Sequence, residues 1–370
     1  MLSNPAPRPA RSYDPTIVPH REDGAVHVHD HRTVRALLRD SRRVTSDVSD
    51  LVGPGQRVHP VSAFVWATDR LTIGGCPGRH AALRSAMAPW MGAEAVEQRH
   101  RDARDACGRH AAQLAGRPFD VYADYAEPLV VEYLAGWLGV EESDVRFAVG
   151  DQLAAGEMFA TWPPPTTDEL DEHYRGLMAR PGLGGVAAAA RDLRDRQVIT
   201  EREAWGIVYA LSVSAVATAT AITLATGLSV EHGLWPGMAD PAGAGAAVEE
   251  AVRLGSPFPQ ATRFAREAFT LGDVLVEPGE QVLMWLTAAN RDLPGPHRAS
   301  LDRFDPTRDA SAHLGWGSGY HTCGGVRHAR ALAEAAVTAL ARHCPTLTHD
   351  GPWVRFVGID DGYAEAPVTA

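Results

Sequence analysis

The sequence predicts a mainly α fold with a small β portion, carried by one domain spanning residues 1–370. Three observations lead there. Apolar residues recur at helical spacing through most of the first half, strand signals are confined to a few short runs, and neither an internal repeat nor a Ser/Gly-rich linker divides the chain. A chain of 370 residues also buries about three quarters of its unfolded surface in one large core.

In chain order, the alternation of Ala25–His29 marks the first strand. Helical patterns follow at 78–92, 94–116, 124–140, 142–160 and 168–197. They break at Pro163-Pro164-Pro165 and at Pro181-Gly182, where proline removes an amide donor and clashes with the preceding turn. Between Glu203 and Glu231 no charge occurs, a length sufficient to cross a bilayer. Yet Ser212, Ser214, Thr218, Thr220, Thr223, Thr226 and Ser229 interrupt it, and polar helical sequence flanks it. The expectation is a long helix buried on all faces of a helical protein, with side chains small enough to let something bulky approach its backbone. Phe269–Leu271, Val274–Val276 and Gln281–Leu286 flank Gly272-Asp273 and Pro278-Gly279 turns and supply the β portion. Val326–Leu340 is the last helical run.

All 35 basic side chains are arginine. Without lysine, Schiff-base catalysis, pyridoxal phosphate anchoring and the phosphate-loop lysine are excluded. The net charge of -11 argues against nucleic acid and against a membrane surface as partners. Met1 to Arg11 carries no apolar signal-peptide core, so a cytoplasmic protein is expected. Cys76, Cys107, Cys323 and Cys344 stand far apart, which disfavours a disulfide framework.

His27, His29 and His31 alternate and would share one strand face, but no carboxylate or cysteine partner alternates onto that face with them, so a metal site is not expected there. Cys107 with His110 has the same weakness. The informative segment is Trp316-Gly317-Ser318-Gly319-Tyr320-His321-Thr322-Cys323-Gly324-Gly325. A glycine-rich loop there delivers one cysteine just before a helix N-terminus, where amides and the helix dipole favour a thiolate. Such a sulfur suits a nucleophile or a metal ligand; a buried cysteine at an ordinary turn is the plain alternative.

This segment resembles the haem-binding loop of the cytochrome P450 family, F-x-x-G-x-x-x-C-x-G. Gly319, Cys323 and Gly325 match in register, and His321 matches the basic residue two places before the cysteine. Upstream, Glu250-Ala251-Val252-Arg253 matches E-x-x-R, Arg263 matches a strand arginine that pairs with a haem propionate, and His80-Ala81-Ala82-Leu83-Arg84 matches H-x-x-x-R. Ala289–Asp292 and Asp302–Pro306 resemble segments that precede the cysteine loop, and His27–Arg39 reads as the opening strand and helix. The resemblance covers nearly the whole chain. It implies a single-domain P450 fold with haem b held between the long central helix and the cysteine loop. Cys323 would be the thiolate axial ligand to iron, pushing electron density toward bound oxygen. His80, Arg84, Arg263 and His321 would hold the propionates. Gly325 would lie in the haem-binding loop, while Glu250 and Arg253 would brace the proximal side.

The pattern departs in the long helix, where the family has an acid followed by an alcohol. Ser214 to Thr218 fit that stretch, with Thr218 as the alcohol and Ala217 where the acid belongs. Oxygen activation needs two protons, so the loss of a carboxylate relay bears on ordinary monooxygenation. Trp316 replaces the loop's phenylalanine; its indole N–H could reach a carbonyl or the thiolate, or the ring could simply pack. Gly324 is expected to give extra room beside the cysteine.

The resemblance thus implies a bacterial haem-thiolate oxidase acting on a specialised metabolite, a small molecule or small peptide. Monooxygenation would use O2 and electrons from a ferredoxin and its reductase, docked on a basic surface at Arg327, His328 and Arg330. Oxidative coupling of aromatic groups without oxygen insertion is the alternative reaction, and a non-catalytic haem sensor the alternative class. Phe64–Thr72, with Trp66, would roof the substrate pocket, and Pro257–Thr262, with Phe258, and a Gly362-Tyr363 loop would line it. Trp162 and its prolines fall where the family has a mobile lid.

Overall fold

The computed structural model describes residues 14–46, 77–158, 167–294, 300–357 and 361–370. A two-residue Asp-Gly turn opens it. Asp23 and Gly24 adopt φ of 48° and 78°, the left-handed pair whose twist joins adjacent antiparallel strands, β1 (His20–Glu22) and β2 (Ala25–Val28). Helix α1 (His31–Leu38) follows, started by the Asp30 carboxylate accepting from Thr33 N–H. Strand β3 (Val44–Thr45) comes next.

The helical half contains α2 (Pro77–Met91), α3 (Ala93–Ala112), β4 (Pro118–Asp120), α4 (Glu127–Leu138), α5 (Glu142–Met158), α6 (Thr167–Ala179) and α7 (Gly185–Asp195). The predicted break at Pro181-Gly182 separates the last two. Helix α8 (Glu201–Glu231) begins at a capping box, in which Thr200 and Glu203 each satisfy the other's backbone amide. Although α8 is long and apolar enough to cross a membrane, its apolar window is 89% buried inside the protein. It packs on α4, α5, α7, α9 (Pro241–Gly255) and α11 (Val326–His343), and α11 packs in turn on α3. The larger apolar core lies among these helices.

Strands β5 (Gln260–Ala265), β6 (Phe269–Leu271), β7 (Val274–Val276) and β8 (Gln281–Trp285) lead to the single turn α10 (Leu286–Ala289). A five-stranded sheet in the order β1-β2-β8-β5-β3 holds the second core on one face of α1. Its strands pair antiparallel except β2 with β8. Near the end, β9 (Thr348–His349), β10 (Val354–Val357), β11 (Asp361–Glu365) and β12 (Pro367–Thr369) form small sheets, β12 lying between β4 and β9.

Several expectations need correction. The first strand stops at Val28, and His31 belongs to α1, where its Nε2 hydrogen-bonds the Ala312 carbonyl at 3.0 Å. The three alternating histidines therefore do not share one strand. Gly362 and Tyr363 lie in β11 rather than in a loop. Trp66 with Phe64–Thr72, Cys76, and Trp162 with Pro163 to Pro165 lie outside the described residues.

Candidate active site

Between α8 and the cysteine loop lies a cavity of about 960 Å³, at the upper end of the range for small-molecule sites. Helical geometry decides which residues of α8 reach it. Ala210, Leu211, Ser214, Ala217 and Thr218 follow the i, i+3, i+4, i+7 rhythm and form one apolar face with two hydroxyls. On the opposite side the loop presents Trp316, Cys323 and Gly325.

Glycine is required in that loop. Gly319 has φ of 75°, and a Cβ there would stand 2.8 Å from the Leu38 carbonyl oxygen. The tight path lets Cys323 N–H bond the Trp316 carbonyl at 2.8 Å and ends at Gly325, which precedes the first residue of α11. The surrounding protein desolvates the Cys323 thiol and pushes it up, although the residue is open to the cavity. The Gly325 and Val326 amides and the Arg84 and Arg330 charges act in the expected direction, favouring thiolate, but burial outweighs them. A bound cation is what such a thiol needs to lose its proton. Gly324 does not leave free room as expected, because a Cβ there would come 3.3 Å from the Arg84 guanidinium.

Four bases from three elements converge on the cavity rim: His80 and Arg84 of α2, Arg263 of β5, and His321 of the loop. Arg84 donates to the Thr322 carbonyl at 2.8 Å, which ties α2 to the cysteine loop. The His80 and His321 rings lie 4.6 Å apart, and His321 Nε2 shares a 3.0 Å hydrogen bond with the Ser46 hydroxyl. Burial and the Arg84 charge lower the His80 pKa, so this imidazole is neutral near pH 7. Arg263 is enclosed enough that burial holds its guanidinium down to about 10. Its hydrogen bond among the described residues goes only to the adjacent Thr262 carbonyl, at 2.7 Å.

Behind the loop, Arg253 is fully buried and grips Glu250 with two bonds of 2.7 and 2.8 Å. Glu250 also receives the Asp305 amide at 3.1 Å and the Arg308 Nε–H at 3.3 Å, while Arg253 donates to the Asn290 carbonyl at 2.9 Å. Asn290 in turn accepts from Leu314 N–H at 2.6 Å, just before the cysteine loop. A second cluster centres on Glu249. It accepts from Arg330 at 2.6 and 2.7 Å, meets His313 at 3.1 Å and accepts the Trp316 indole N–H at 3.3 Å. The indole therefore serves Glu249 rather than the sulfur. Its ring packs on the larger core beneath the Arg330 guanidinium.

On the distal face both alcohols donate their protons to their own helix. Ser214 bonds the Leu211 carbonyl at 2.6 Å and Thr218 bonds the Ser214 carbonyl at 2.9 Å. They retain acceptor lone pairs toward the cavity and no spare donor. Ala217 stands between them in sequence and faces the same space.

Sequence reasoning thus places Cys323, Gly325, His80, Arg84, Arg263, His321, Ala217, Thr218 and Phe258 around one cavity. Glu250 and Arg253 lie behind it. The Tyr363 side chain and Trp66 lie outside the description. The expected basic surface is reduced: His328 is buried, bonded to the Tyr133 hydroxyl at 2.7 Å and the Trp90 carbonyl at 2.8 Å, and Arg330 is paired with Glu249. Sequence reasoning missed Ser46, Arg308, Glu249 and His313, which carry no local motif.

A flat iron macrocycle bearing two carboxylates fits these residues. The buried His80 Nε2 has no partner among the described residues, and Arg263 has donors to spare. Gly325 faces space in which an added Cβ would meet no atom within 4 Å. Sulfur, cations and an uncharged face are arranged around one slot.

Comparison with known proteins agrees. The cytochrome P450 family model matches residues 244–352. The chain is 30% identical to cytochrome p450 CYP199A2 of Rhodopseudomonas palustris over 78% of its own length and 73% of that protein's. It is 27% identical to the erythromycin C-12 hydroxylase of Saccharopolyspora erythraea over 88% and 84% of the two chains. Among solved structures it superposes on CxnD, described as a cytochrome P450 enzyme for C–S bond formation in chuangxinmycin biosynthesis, with a TM-score of 0.79 and 20% identity, covering 93% and 88% of the chains.

Proposed function

The chain belongs to the cytochrome P450 family of haem-thiolate oxidoreductases, and from that premise we propose that it is a cytoplasmic monooxygenase of a specialised metabolite, folded as one haem-binding domain. The observation that carries the reading is the placement of the Cys323 sulfur across one cavity from an uncharged face of α8, with four bases on the rim. The name of the erythromycin hydroxylase relative supports the substrate class.

When bound, haem b with a thiolate ligand supplies one-electron transfer and dioxygen chemistry. Cys323 would hold its iron through the thiolate. Arg84 and Arg263 would hold the propionates as charged forks, His321 would brace them through Ser46, and His80 would donate a hydrogen bond. Glu250 and Arg253 keep the segments before the cysteine loop in place. The face from Ala210 to Thr218 excludes bulk water from the reacting side. Because Ser214 and Thr218 already donate to backbone carbonyls, they orient water by accepting from it, and protons must arrive through water or from the substrate itself. Phe258 lines the substrate side, as would Trp66 and Tyr363. Electrons come from a ferredoxin and its reductase.

The missing acid at Ala217 favours a second reading, oxidative coupling of aromatic groups in a small peptide or polyketide. Product mass separates the two: one added oxygen supports hydroxylation, and loss of two hydrogens supports coupling. The central assignment is tested by the carbon monoxide difference spectrum of the reduced holoprotein. The wild type should give the red-shifted band of thiolate-ligated haem and Cys323→Ala should not. A wild type without that band defeats the assignment, and a protein that shows it yet makes no product with any reductant or peroxide is a sensor instead.

A further inference from the structure

At the far edge of the five-stranded sheet, three imidazoles come together that the proposed reaction does not use. The hairpin register creates the cluster. His20 of β1 stands directly opposite His27 of β2, and His29 follows His27 by two residues, so it stays on the same side. One nitrogen from each lies within 4.8 Å of the others. The ring centroids of His20 are 5.2 Å from His27 and 5.7 Å from His29.

The surroundings suit a cation. His29 is 1% exposed, and among the described residues neither of its ring nitrogens makes a well-formed hydrogen bond, the Asp14 backbone giving only a loose contact; the Nε2 of His27, which is 9% exposed, likewise has none. Burying polar nitrogens without partners costs free energy that a ligand at the site recovers. His20 is half-buried and gives access from solvent, and the Glu22 carboxylate lies 3.3 Å from its Nε2. Trp285 of β8 stacks against His27 and His29 at 5.9 and 6.0 Å and donates its indole N–H to His27 Nδ1 at 3.0 Å. From the opposite face of β1, Arg21 clamps Glu280 with bonds of 2.5 and 3.0 Å and fixes the hairpin to the sheet.

We infer that His20, His27 and His29 form a binding site for one divalent transition cation of the imidazole-preferring class, zinc in the first instance, with Glu22 or water completing the shell. Three nitrogen donors and one oxygen are a common tetrahedral set for zinc, and nickel and copper share the preference. Nitrogens bonded to one ion at about 2.1 Å must lie closer together than in the stacked arrangement, and rotation about the soft terminal torsions of the rings closes the difference. His27 either exchanges the Trp285 bond for the cation or turns its ring. The cation would fasten the edge strand to β2 and so to the sheet that carries Arg263.

The test uses the haem-loaded full chain, treated with chelator and titrated with zinc chloride by calorimetry, with bound metal counted after equilibrium dialysis. The wild type should bind one zinc per chain beyond haem iron with a dissociation constant of about 10 μM or tighter, and its melting temperature should rise with zinc. His29→Ala removes a buried ring and is paired with His20→Ala, whose half-buried position at the sheet edge leaves the core intact. Each should weaken binding at least tenfold and abolish the thermal shift with haem content unchanged, whereas the distant His343→Ala should behave as wild type. Failure of the wild type to bind zinc at 100 μM, or equal binding by His20→Ala and wild type, overturns the site.

Discussion

Glu250 offers the sharpest test of what holds the cysteine loop in place. Its carboxylate receives two bonds from Arg253, one from Arg308 and one from a backbone amide, and the three side chains are 1%, 0% and 6% exposed. Glu250→Gln keeps the shape but removes the charge, leaving two guanidinium groups buried without a counterion. Breaking a buried pair from one side costs about 3 to 5 kcal/mol. For 370 residues, an unfolding entropy of about 2.1 cal/mol/K per residue gives about 0.8 kcal/mol/K, so the melting temperature should drop by about 4 to 6 °C. Differential scanning calorimetry of the holoprotein measures this directly. The paired variant Glu250→Met with Arg253→Met should recover part of the loss, since it removes one orphaned cation together with the anion and fills the space with apolar atoms. A drop below 1 °C for Glu250→Gln, or a double variant whose loss equals the sum of the two single losses, would refute the argument that uncompensated charge dominates.

Other perturbations follow from the same geometry. Burial opposes ionisation of Glu249, but His313 and Arg330 prevail and lower its pKa from 4.5 to about 2. Its contribution is therefore full above pH 4.5 and fades as pH falls through 2, worth at most about 3 kcal/mol; urea denaturation across this range should show a flatter acid limb for Glu249→Gln, and parallel curves would sink the reading. Gly319→Ala places a Cβ against the Leu38 carbonyl at a left-handed φ, so a loss of about 2 kcal/mol or more is expected, seen as a lower denaturation midpoint and reduced haem content. Ala217→Asp puts a proton carrier on the cavity face and should raise product formed per electron pair severalfold, whereas Thr218→Val, which removes an acceptor that orients water but no proton donor, should lower it less than twofold. The reverse order of those two would show that Thr218 donates protons directly.

What could be read from sequence depended on how local its cause was. Helix α8, the break at Pro181-Gly182 and the β6–β7 hairpin follow from periodicity and turn chemistry within a few residues, and all appear. The cysteine loop was legible because glycines at fixed offsets can be seen without a partner. Strand β1 escaped, although Asp23-Gly24 is a strong hairpin signal, because its three residues carry no apolar alternation to mark them. That omission also hid the histidine cluster, since the residue completing it is His20 across the hairpin rather than His31 along the chain. His328 was misplaced for a related reason: adjacency to Arg327 and Arg330 suggests a charged face, but the helical turn carries it inward to Tyr133 and Trp90. The links from Glu249 to His313 and Trp316 and from Glu250 to Arg308 span more than fifty residues of chain, and pairing at that range leaves no periodic trace.

The distal helix bears most directly on the chemistry, and the cavity selects which of its alcohols can serve. A shift by two residues would have offered Thr220 as the catalytic alcohol, but its hydroxyl is fully buried away from the cavity and has no partner among the described residues. Ala217 and Thr218 face the cavity together with Ala210, Leu211 and Ser214, the set that a single helical stripe allows. The side chain that precedes Thr218 on the cavity face is therefore a methyl group. Since neither Ser214 nor Thr218 has a proton to spare in its present bonds, the polarity of this wall comes from lone pairs alone. A wall of that kind steadies water or a hydroxyl-bearing substrate and does not acidify the site. Proton delivery then becomes a property of what occupies the cavity, which makes the choice between oxygen insertion and radical coupling depend on the substrate as much as on the protein.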